Sequence, residues 1–396
     1  MKGKRTIRSI RLTNFLSYGP KGEAIELEPL NVLIGANATG KSNFLEAFRF
    51  LHKLPGDLAA HTRSCGGAPE FLWKGDRQNL PTTVEVSLDY LNNSTLTHAL
   101  SFTADSSERL DITHEHIGIE NYPSLAPRKL FEFPHNNREG KLEIFAPQIG
   151  RHDHLAERTI EPVYQRSIVS VIRDPSNYPY LSDLESLYTS MQFGGEWDVS
   201  RYGVSRRPHR TDLPTETLLE DASNLGLVLF NLPSKTKTTL TEHLQKVYEG
   251  VEELSFRIEV NTLQTLLSEK GMSKPTPLIR FSQGTLRYLC LLATLLAPTT
   301  PPLICIEEPE NSLHPYALFH LADLMKDAAQ RTQLIVATQS DSLISGLNDV
   351  PESVIVCERD EDGTNLRRLK PEQIAPWLDR YALGDLWTMG ELGGLP

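Results

Sequence analysis

Long hydrophobic runs are scarce in this chain of 396 residues. The most apolar run, residues 289–297, is far shorter than the roughly 20 residues that a membrane-spanning helix needs. The basic residues at the start have no apolar stretch behind them, so they do not form a secretion signal. These absences predict a cytoplasmic protein with no contact to a membrane.

Cysteine and positive charge are also limited. The chain has four cysteines, which are scattered without paired spacing, so the pattern favours small core residues over a disulfide framework or a zinc site. Lysine and arginine number 40 against 51 acidic residues, and the formal net charge of -11 argues against a basic nucleic-acid coat. With 39% hydrophobic and 23% charged residues, the chain has the composition of a soluble folded protein.

A glycine-bounded loop with the sequence GANATGKS occupies residues 35–42. A short apolar run precedes it and a helical pattern follows it, which is the strand, loop and helix order of a phosphate-binding loop. Gly35 and Gly40 allow several N–H groups to point into one cavity, where the dipole of the following helix also favours anions. We expect Lys41 to reach the β- and γ-phosphates of ATP and Ser42 to ligate Mg²⁺. The other residues predicted to line the nucleotide are Asn37, Ala38, Thr39 and Asn43.

A second motif lies at residues 303–310, where the apolar run LICI is followed by EEPE. A continuous apolar run is typical of a strand buried on both faces of a parallel sheet, and ligands bind at the carboxyl ends of such strands. Glu307 is therefore predicted to hold Mg²⁺, directly or through water. Glu308 is predicted to orient or deprotonate the attacking water.

Two shorter polar segments are also predicted to contact phosphate, because each lies where a helix begins or a buried strand ends. Ser282 and Gly284 belong to an SQGT sequence that opens a helical pattern, so its N–H groups and hydroxyl could meet a phosphate. Gln339 follows another apolar run, residues 333–337, and a polar side chain there could sense the γ-phosphate. Residues 277–280 before the SQGT sequence are predicted to form a strand.

The remaining sequence predicts a β lobe and a helical insertion. Alternating hydrophobicity in residues 84–90, and in parts of 96–103 and 110–119, indicates an antiparallel meander. Helical periodicity in residues 181–193 and 217–247 indicates an inserted helical arm. The arm carries a basic cluster that suits either a nucleic-acid or partner contact or a solvated loop, and its members are Arg201, Arg206, Arg207, His209 and Arg210.

Taken together, these motifs resemble the ATP-binding cassette (ABC) ATPases of the RecF and SMC type, most closely the compact bacterial AAA family ATPases with a split core. The resemblance covers residues 1–150 and 250–370 and implies an α/β, ABC-type P-loop core with a mixed, largely parallel sheet and flanking helices. We accordingly predict three segments: residues 1–150 with half of the core and the β lobe, 151–250 as the helical insertion, and 251–396 with the other half of the core.

The resemblance also implies a mechanism. In that family two copies bind head to tail, so Ser282 and Gly284 of one copy would contact the γ-phosphate held by the other, and residues 312–314 would cross between the sites. The family usually has histidine where this chain has Gln339, which can donate a hydrogen bond but cannot take a charge. The glutamine that usually lies between the first two motifs has two candidates here, Gln148 and Gln192.

The predicted function is an ATP-driven homodimer switch that senses DNA or controls a separate effector such as a nuclease, as relatives do in defence against phage. The alternative is a repair or chromosome-maintenance ATPase that binds DNA ends or gaps directly. A transporter cassette is disfavoured, because the β lobe and the insertion are large. Two histidine pairs are weak metal-site candidates, since they have no nearby cysteine or acidic support: His114 with His116, and His152 with His154.

Overall fold

The computed structural model describes residues 3–75, 80–121, 128–133, 140–143, 157–160 and 165–394. In chain order, its strands are β1 (Ile7–Thr13), β2 (Ile25–Glu26), β3 (Leu30–Ile34), β4 (Thr82–Asp89), β5 (Thr95–Ala104), β6 (Leu110–Glu120), β7 (Arg128–Phe133), β8 (Gly140–Glu143), β9 (Glu157–Ile160), β10 (Gln192–Gly194), β11 (His209–Arg210), β12 (Val251–Glu259), β13 (Thr262–Glu269), β14 (Thr276–Pro277), β15 (Leu303–Glu307), β16 (Gln333–Ala337), β17 (Val354–Asp360) and β18 (Gly363–Arg368).

Its helices are, in the same order, α1 (Lys41–Lys53), α2 (Leu58–Ser64), α3 (Ile168–Val171), α4 (Pro179–Thr189), α5 (Leu225–Asn231), α6 (Ser234–Val247), α7 (Gln283–Leu295), α8 (Pro315–Ala328), α9 (Asp341–Ser345), α10 (Pro371–Leu378) and α11 (Leu383–Thr388). Within the ranges given above, none of these helices has the length and hydropathy that a membrane crossing requires.

Within the described residues, the central sheet has six strands in the order β10-β15-β16-β3-β17-β18. Its first five strands are parallel, and β18 is antiparallel to β17. Alternate residues of a strand face opposite sides: Ile335 packs in the core shared with the β lobe, whereas Leu334 and Val336 pack among helices α7 to α9. Burial on both faces explains why these strands appear in the sequence as continuous apolar runs.

The predicted antiparallel meander is present as a second sheet. Over the described part of the chain its order is β2-β1-β4-β5-β6-β7-β8-β9. Helix α1 lies between the two sheets and fills the shared core with Phe44, Phe48 and Phe50, all of which are buried. Phe50 stacks on Phe102 of β5, with 4.9 Å between ring centroids. The β lobe therefore packs directly behind the helix that starts at the glycine-bounded loop.

Two secondary-structure predictions are wrong at their ends. Residues 277–280 do not form a strand: β14 ends at Pro277, and a short 3₁₀ turn follows so that the chain can enter α7. The helix predicted over residues 181–193 ends at Thr189, after which β10 begins. Phe193 then pairs with Cys305 in the central sheet, and this tertiary contact overrides the helical periodicity.

The range 151–250 is not helical throughout. It contains α3 to α6, but also β9, β10 and β11. Because β10 lies beside β15 in the central sheet, the chain passes through the core within the predicted insertion. The three-segment division stays a prediction.

His209 in β11 is a buried histidine with a pH-dependent consequence. It is 2% exposed, and burial lowers its pKa from 6.5 to about 4, although the backbone of Ser205 partly opposes this shift. Below pH 6.5 the unfolded chain takes up a proton that the folded chain accepts only near pH 4, so stability falls as the pH drops through this window. Between pH 7 and pH 5, urea unfolding should show a loss that is about 2 kcal/mol larger for the wild type than for His209→Gln. Equal losses in the two proteins would contradict this assignment.

Candidate functional site

The glycine-bounded loop connects the end of β3 at Ile34 to the start of α1 at Lys41. Gly35 and Gly40 have φ angles of 151° and 106°, a region that other residues rarely adopt. A Cβ at Gly35 would collide with the carbonyl oxygen of Cys357, and one at Gly40 with the hydroxyl of Thr364. Both glycines are therefore required by the backbone path and by close packing, and they set the loop tightly against β17 and β18.

Neighbouring side chains hold the loop through its carbonyl groups. The Tyr18 hydroxyl donates to the Gly40 carbonyl at 3.1 Å, and the Thr364 hydroxyl donates to the Thr39 carbonyl at 2.8 Å. Arg359 donates to the Ala38 carbonyl at 3.4 Å. Since these contacts occupy carbonyl oxygens, they leave the loop's N–H groups available to an anion.

Lys41 lies across the mouth of the loop and is 6% exposed. Its ammonium group donates to the carbonyl oxygens of Gly35 at 2.6 Å and Ala36 at 2.8 Å. Burial lowers the pKa of Lys41, while nearby acidic groups, including Glu308, oppose this shift. A cation held at this position can transfer its hydrogen bonds from the loop to a bound phosphate.

The carboxyl ends of three parallel strands meet beside the loop. Glu307 of β15 pairs with Ala337 of β16, and Ala337 pairs with Leu33 of β3. A cavity of about 310 Å³ opens at this edge. Its lining residues are Asn37, Ala38, Gly40, Lys41, Ser42, Asn43, Glu307, Glu308, Ala337, Gln339 and Arg359. Residues predicted from three separate motifs are thus brought to one cavity.

Glu308 is held in a defined position at this edge. Its carboxylate accepts hydrogen bonds from the Gln339 side chain and the Asn311 side chain, each at 2.9 Å. Its backbone has a φ of 42°, which is uncommon for a residue with a Cβ, and its N–H donates to the Ala337 carbonyl at 2.9 Å. This fixed carboxylate next to Lys41 is suited to accept a proton from a water molecule near a phosphate.

A third carboxylate, Glu310, supports the same region. It accepts a hydrogen bond from the backbone N–H of Gln339 at 2.6 Å, and burial raises its pKa. Arg287 of α7 donates to the carbonyl oxygens of Gly195 and Glu308, both at 2.9 Å. Helix α7 is thereby linked to the backbone of Glu308, the residue expected to act on water.

The SQGT segment lies outside this cavity. Ser282 is the N-cap of α7, where its hydroxyl accepts from the Thr285 N–H at 3.0 Å, and Ser282 and Gln283 are exposed. Gly284 packs so closely on the Ser312 carbonyl that a Cβ would collide with it. Neither Ser282 nor Gly284 lines the 310 Å³ cavity of its own chain.

Of the two candidate glutamines, Gln148 lies outside the described residues. Gln192 pairs with Ile304, three residues before Glu307, which puts it about 10 Å back along the sheet. Its side chain donates to the Leu218 carbonyl at 3.2 Å. Instead, Glu196 lines a neighbouring cavity together with Ser42 and Glu307. The side chain that approaches Ser42 and Glu307 from this segment is therefore the carboxylate of Glu196 and not a glutamine amide.

The basic cluster is not exposed as a whole, because Arg206 and His209 are buried. Arg206 is 7% exposed and donates to the carbonyl oxygens of Val199 at 3.1 Å and Phe281 at 2.5 Å. It therefore fixes the backbone directly before Ser282. Arg201, Arg207 and Arg210 are exposed, and Arg210 pairs with Asp212 at 2.6 Å.

The histidine pairs receive no metal-site support. His114 and His116 lie two residues apart on β6, and Nε2 of His114 is 4.0 Å from Glu132. Neither belongs to a group of three metal-ligand side chains among the described residues. His152 and His154 lie outside the described residues.

The donor atoms at the cavity fit ATP and Mg²⁺. A magnesium ion prefers oxygen ligands, and the Ser42 hydroxyl and the Glu307 carboxylate both line this cavity. The loop N–H groups and Lys41 supply the donors and the positive charge that phosphates require.

Four residues at this site have roles that the sequence did not predict: Arg359, Asn311, Glu310 and Arg287. Arg359 lies near the end of β17, which extends to Asp360 and pairs in parallel with β3, so its carboxyl end reaches the loop. A charged residue at the carboxyl end of a parallel strand is the sequence signal that points to this position. The other three act through backbone or side-chain contacts that only the folded chain creates.

Comparison with known proteins identifies a family and a relative that share this sequence pattern. The family described as "AAA domain, putative AbiEii toxin, Type IV TA system" matches residues 30–345. A Helicobacter pylori protein named "ATP/GTP phosphatase" is 22% identical over 316 residues, which are 78% of this chain and 77% of that protein.

Two solved structures share the fold. One is an Smc head bound to the C-terminal winged-helix domain of ScpA, with a TM-score of 0.57, 12% identity, and coverage of 94% of this chain and 100% of that chain. The other is an Smc head domain with an extended coiled coil from Pyrococcus furiosus, bound to the C-terminal domain of ScpA. Its TM-score is 0.56 with 14% identity, covering 94% of this chain and 98% of that chain. The predicted ABC-type P-loop fold is confirmed.

Proposed function

We propose that this chain, which belongs to the family described as "AAA domain, putative AbiEii toxin, Type IV TA system", is a homodimer switch. In this switch, ATP binding closes the two copies on each other, and the closed dimer controls a separate effector. The chain is an ATPase. The proposal concerns how the ATPase works: the SQGT segment of one copy completes the nucleotide site of the other.

The observation that carries the proposal is the position of Ser282. It caps α7 at an exposed point, outside the cavity of its own chain that holds Lys41 and Glu308. An exposed helix N-terminus with a free face suits a phosphate presented by a second copy.

The surroundings of Ser282 support a protein interface. Gly284 packs on the Ser312 carbonyl, so the SQGT segment and the loop before α8 form one unit. In the helix that follows, Tyr316 is 57% exposed and Phe319 is 44% exposed. Exposed aromatic side chains are enriched at protein–protein interfaces.

Within each site the residues have separate tasks. Lys41 and the loop N–H groups would bind the phosphates, and Glu308 would take a proton from the attacking water while Gln339 and Asn311 keep its carboxylate in place. Ser42 and Glu307 would hold Mg²⁺, which when bound neutralises phosphate charge. Through Arg287, the same Glu308 backbone is linked to α7, so hydrolysis in one site could be coupled to the SQGT segment that closes the other.

The effector role is favoured over direct DNA binding. The family description names a putative toxin of a "Type IV TA system", which is one component of a system with more than one part, and this supports action together with a separate partner protein. The DNA-repair alternative predicts that either the four arginines of the basic cluster or the basic first strand form one exposed face. Arg206 is buried and bonded to backbone carbonyls, which argues against the first of these two surfaces.

The dimer is tested with Ser282→Arg. The substitution should weaken the ATP-bound dimer by about 30-fold, because forcing a much larger side chain between the start of α7 and the facing phosphate costs about 2 kcal/mol in overpacking. ATP binding to the single chain should be retained, because Ser282 does not line its own cavity. The measurements are light scattering with ATP and nucleotide titration.

The matched control is Ser234→Arg, which changes an exposed serine at the first turn of α6. It should dimerise like the wild type. If Ser282→Arg also dimerises normally, the SQGT segment is not at the interface and the proposed mechanism fails, although the ATPase assignment stands.

A further inference from the structure

A second group of chemically reactive side chains lies beside the ATPase site. It consists of Glu46, His61 and Cys65, whose ligand atoms all lie within 4.8 Å of one another. We propose that these three side chains form a binding site for a soft divalent cation of the Zn²⁺ class, distinct from the oxygen-lined Mg²⁺ position at Ser42 and Glu307.

Two helices build this site. Glu46 projects from α1, while His61 lies in α2 and Cys65 follows its last residue. The four-residue spacing from His61 to Cys65 puts both on one face of α2. Asp57 caps α2 by accepting from the Ala60 N–H at 2.8 Å, and the His61 ring packs against Phe71 with 5.8 Å between centroids. The three ligand side chains are therefore carried by helices α1 and α2, and α2 is fixed by its N-cap and by the packing of His61 on Phe71.

The distances are close to those of a metal site. The His61 ring nitrogen Nε2 is 3.1 Å from Oε1 of Glu46, and the other ring nitrogen, Nδ1, is 4.0 Å from the Cys65 sulfur. Only one of these nitrogens can bind a given ion, and one ligand atom from each of the three side chains lies within 4.8 Å of the other two. Ligands around tetrahedral zinc are about 3.5 Å apart, given bonds of about 2.0–2.3 Å. Cys65 is exposed, so its side chain can turn by the small amount needed to bring its sulfur to the same ion.

The guanidinium group of Arg49 contacts the Glu46 carboxylate on the side away from His61. Arg49 lies 3.6 Å from Oε2 of Glu46, the oxygen that does not contact His61. Residues that contact a ligand from outside the metal site orient it and are part of most metal sites. Arg49 also pairs with Glu220 at 2.8 Å, so it is itself fixed.

The donor chemistry decides the class of ion. A thiolate, an imidazole and a carboxylate together favour Zn²⁺ and similar ions over Mg²⁺, which prefers oxygen alone. Three protein ligands leave a fourth position for water or another ligand. Glu46 and Cys65 line the cavity of about 370 Å³ that also reaches Ser42 and Glu307, so this fourth position is accessible from the nucleotide side.

Cobalt serves as a spectroscopic probe for this site in the full chain without nucleotide. Co²⁺ should bind at one equivalent and give the near-ultraviolet absorption of a cobalt–thiolate bond, and Zn²⁺ should displace it. Cys65 is the only exposed cysteine among the described residues, and the other three cysteines are buried, so the band reports on Cys65. Cys65→Ser should abolish the band, while His61→Ala and Glu46→Gln should weaken Co²⁺ binding by about tenfold or more.

The matched control is His114→Ala, which removes a histidine of the β lobe and should leave Co²⁺ affinity unchanged. As a second measurement, Zn²⁺ should protect Cys65 of the wild type from iodoacetamide. The site is refuted if the wild type shows no thiolate band, if Cys65→Ser retains it, or if Zn²⁺ gives Cys65 no protection. None of these outcomes depends on ATP hydrolysis, so they test the metal site separately from the dimer mechanism.

Discussion

A Glu308→Gln variant is expected to bind ATP but to hydrolyse it about 10²- to 10⁴-fold more slowly, the usual contribution of a general base. The amide has nearly the same shape, yet it cannot accept a proton. It also offers one acceptor oxygen in place of two, so it can keep only one of the hydrogen bonds from Gln339 and Asn311. Single-turnover hydrolysis and nucleotide titration measure the two properties separately.

The same variant should accumulate as the closed dimer. If hydrolysis separates the two copies of the ATP-bound dimer, a variant that binds ATP without hydrolysing it will show the mass of two chains in light scattering. Glu120→Gln, a change at the exposed end of β6, is the matched control and should hydrolyse ATP normally. Wild-type hydrolysis by Glu308→Gln would remove Glu308 from its proposed role, and a monomeric ATP-bound variant would contradict the switch.

A Lys41→Ala variant is expected to bind ATP about 10- to 100-fold more weakly, the loss that follows from removing charge-assisted hydrogen bonds worth about 1.5–3 kcal/mol. Hydrolysis should fall further than binding, because the ammonium group also faces charge that develops in the transition state. Fluorescent nucleotide binding and steady-state hydrolysis measure the two effects.

Lys53→Ala provides the control for Lys41→Ala, because Lys53 lies at the opposite end of the same helix, α1. It should change neither ATP binding nor hydrolysis. Thermal unfolding distinguishes a local loss of binding from misfolding, since Lys41 also holds the Gly35 and Ala36 carbonyls. Unchanged ATP affinity in a folded Lys41→Ala protein would mean that the loop at residues 35–42 is not the phosphate site.

Much of the site could be predicted because each motif is local. A short apolar run followed by polar residues predicts a buried strand and the position of its carboxyl end, as with Glu307 and Gln339. Parallel strands all present that end at one edge of the sheet, so motifs almost 300 residues apart could be expected to meet. The cavity lined by Lys41, Glu308 and Gln339 agrees with this expectation.

Other features depend on neighbours that are distant in the sequence. The pattern of residues 181–193 does not reveal that Phe193 pairs with Cys305, and a basic cluster does not reveal that Arg206 is buried against Phe281. In both cases the side chain's environment is supplied by a segment far along the chain, and this outweighs local propensity.

The sequence alone determined the class of chemistry, because the loop at residues 35–42 and the carboxylates at 307 and 308 carry the required groups at fixed local spacing. The tertiary structure decided how those groups are held: Asn311 and Gln339 on Glu308, Arg359 against the loop, and Arg287 between α7 and the Glu308 backbone. It also decided that Ser282 lies exposed outside its own cavity and that Glu46, His61 and Cys65 converge. Hydrogen bonds and ligand sets require atoms within a few ångströms in space, and only the packing of helices and sheets sets those distances.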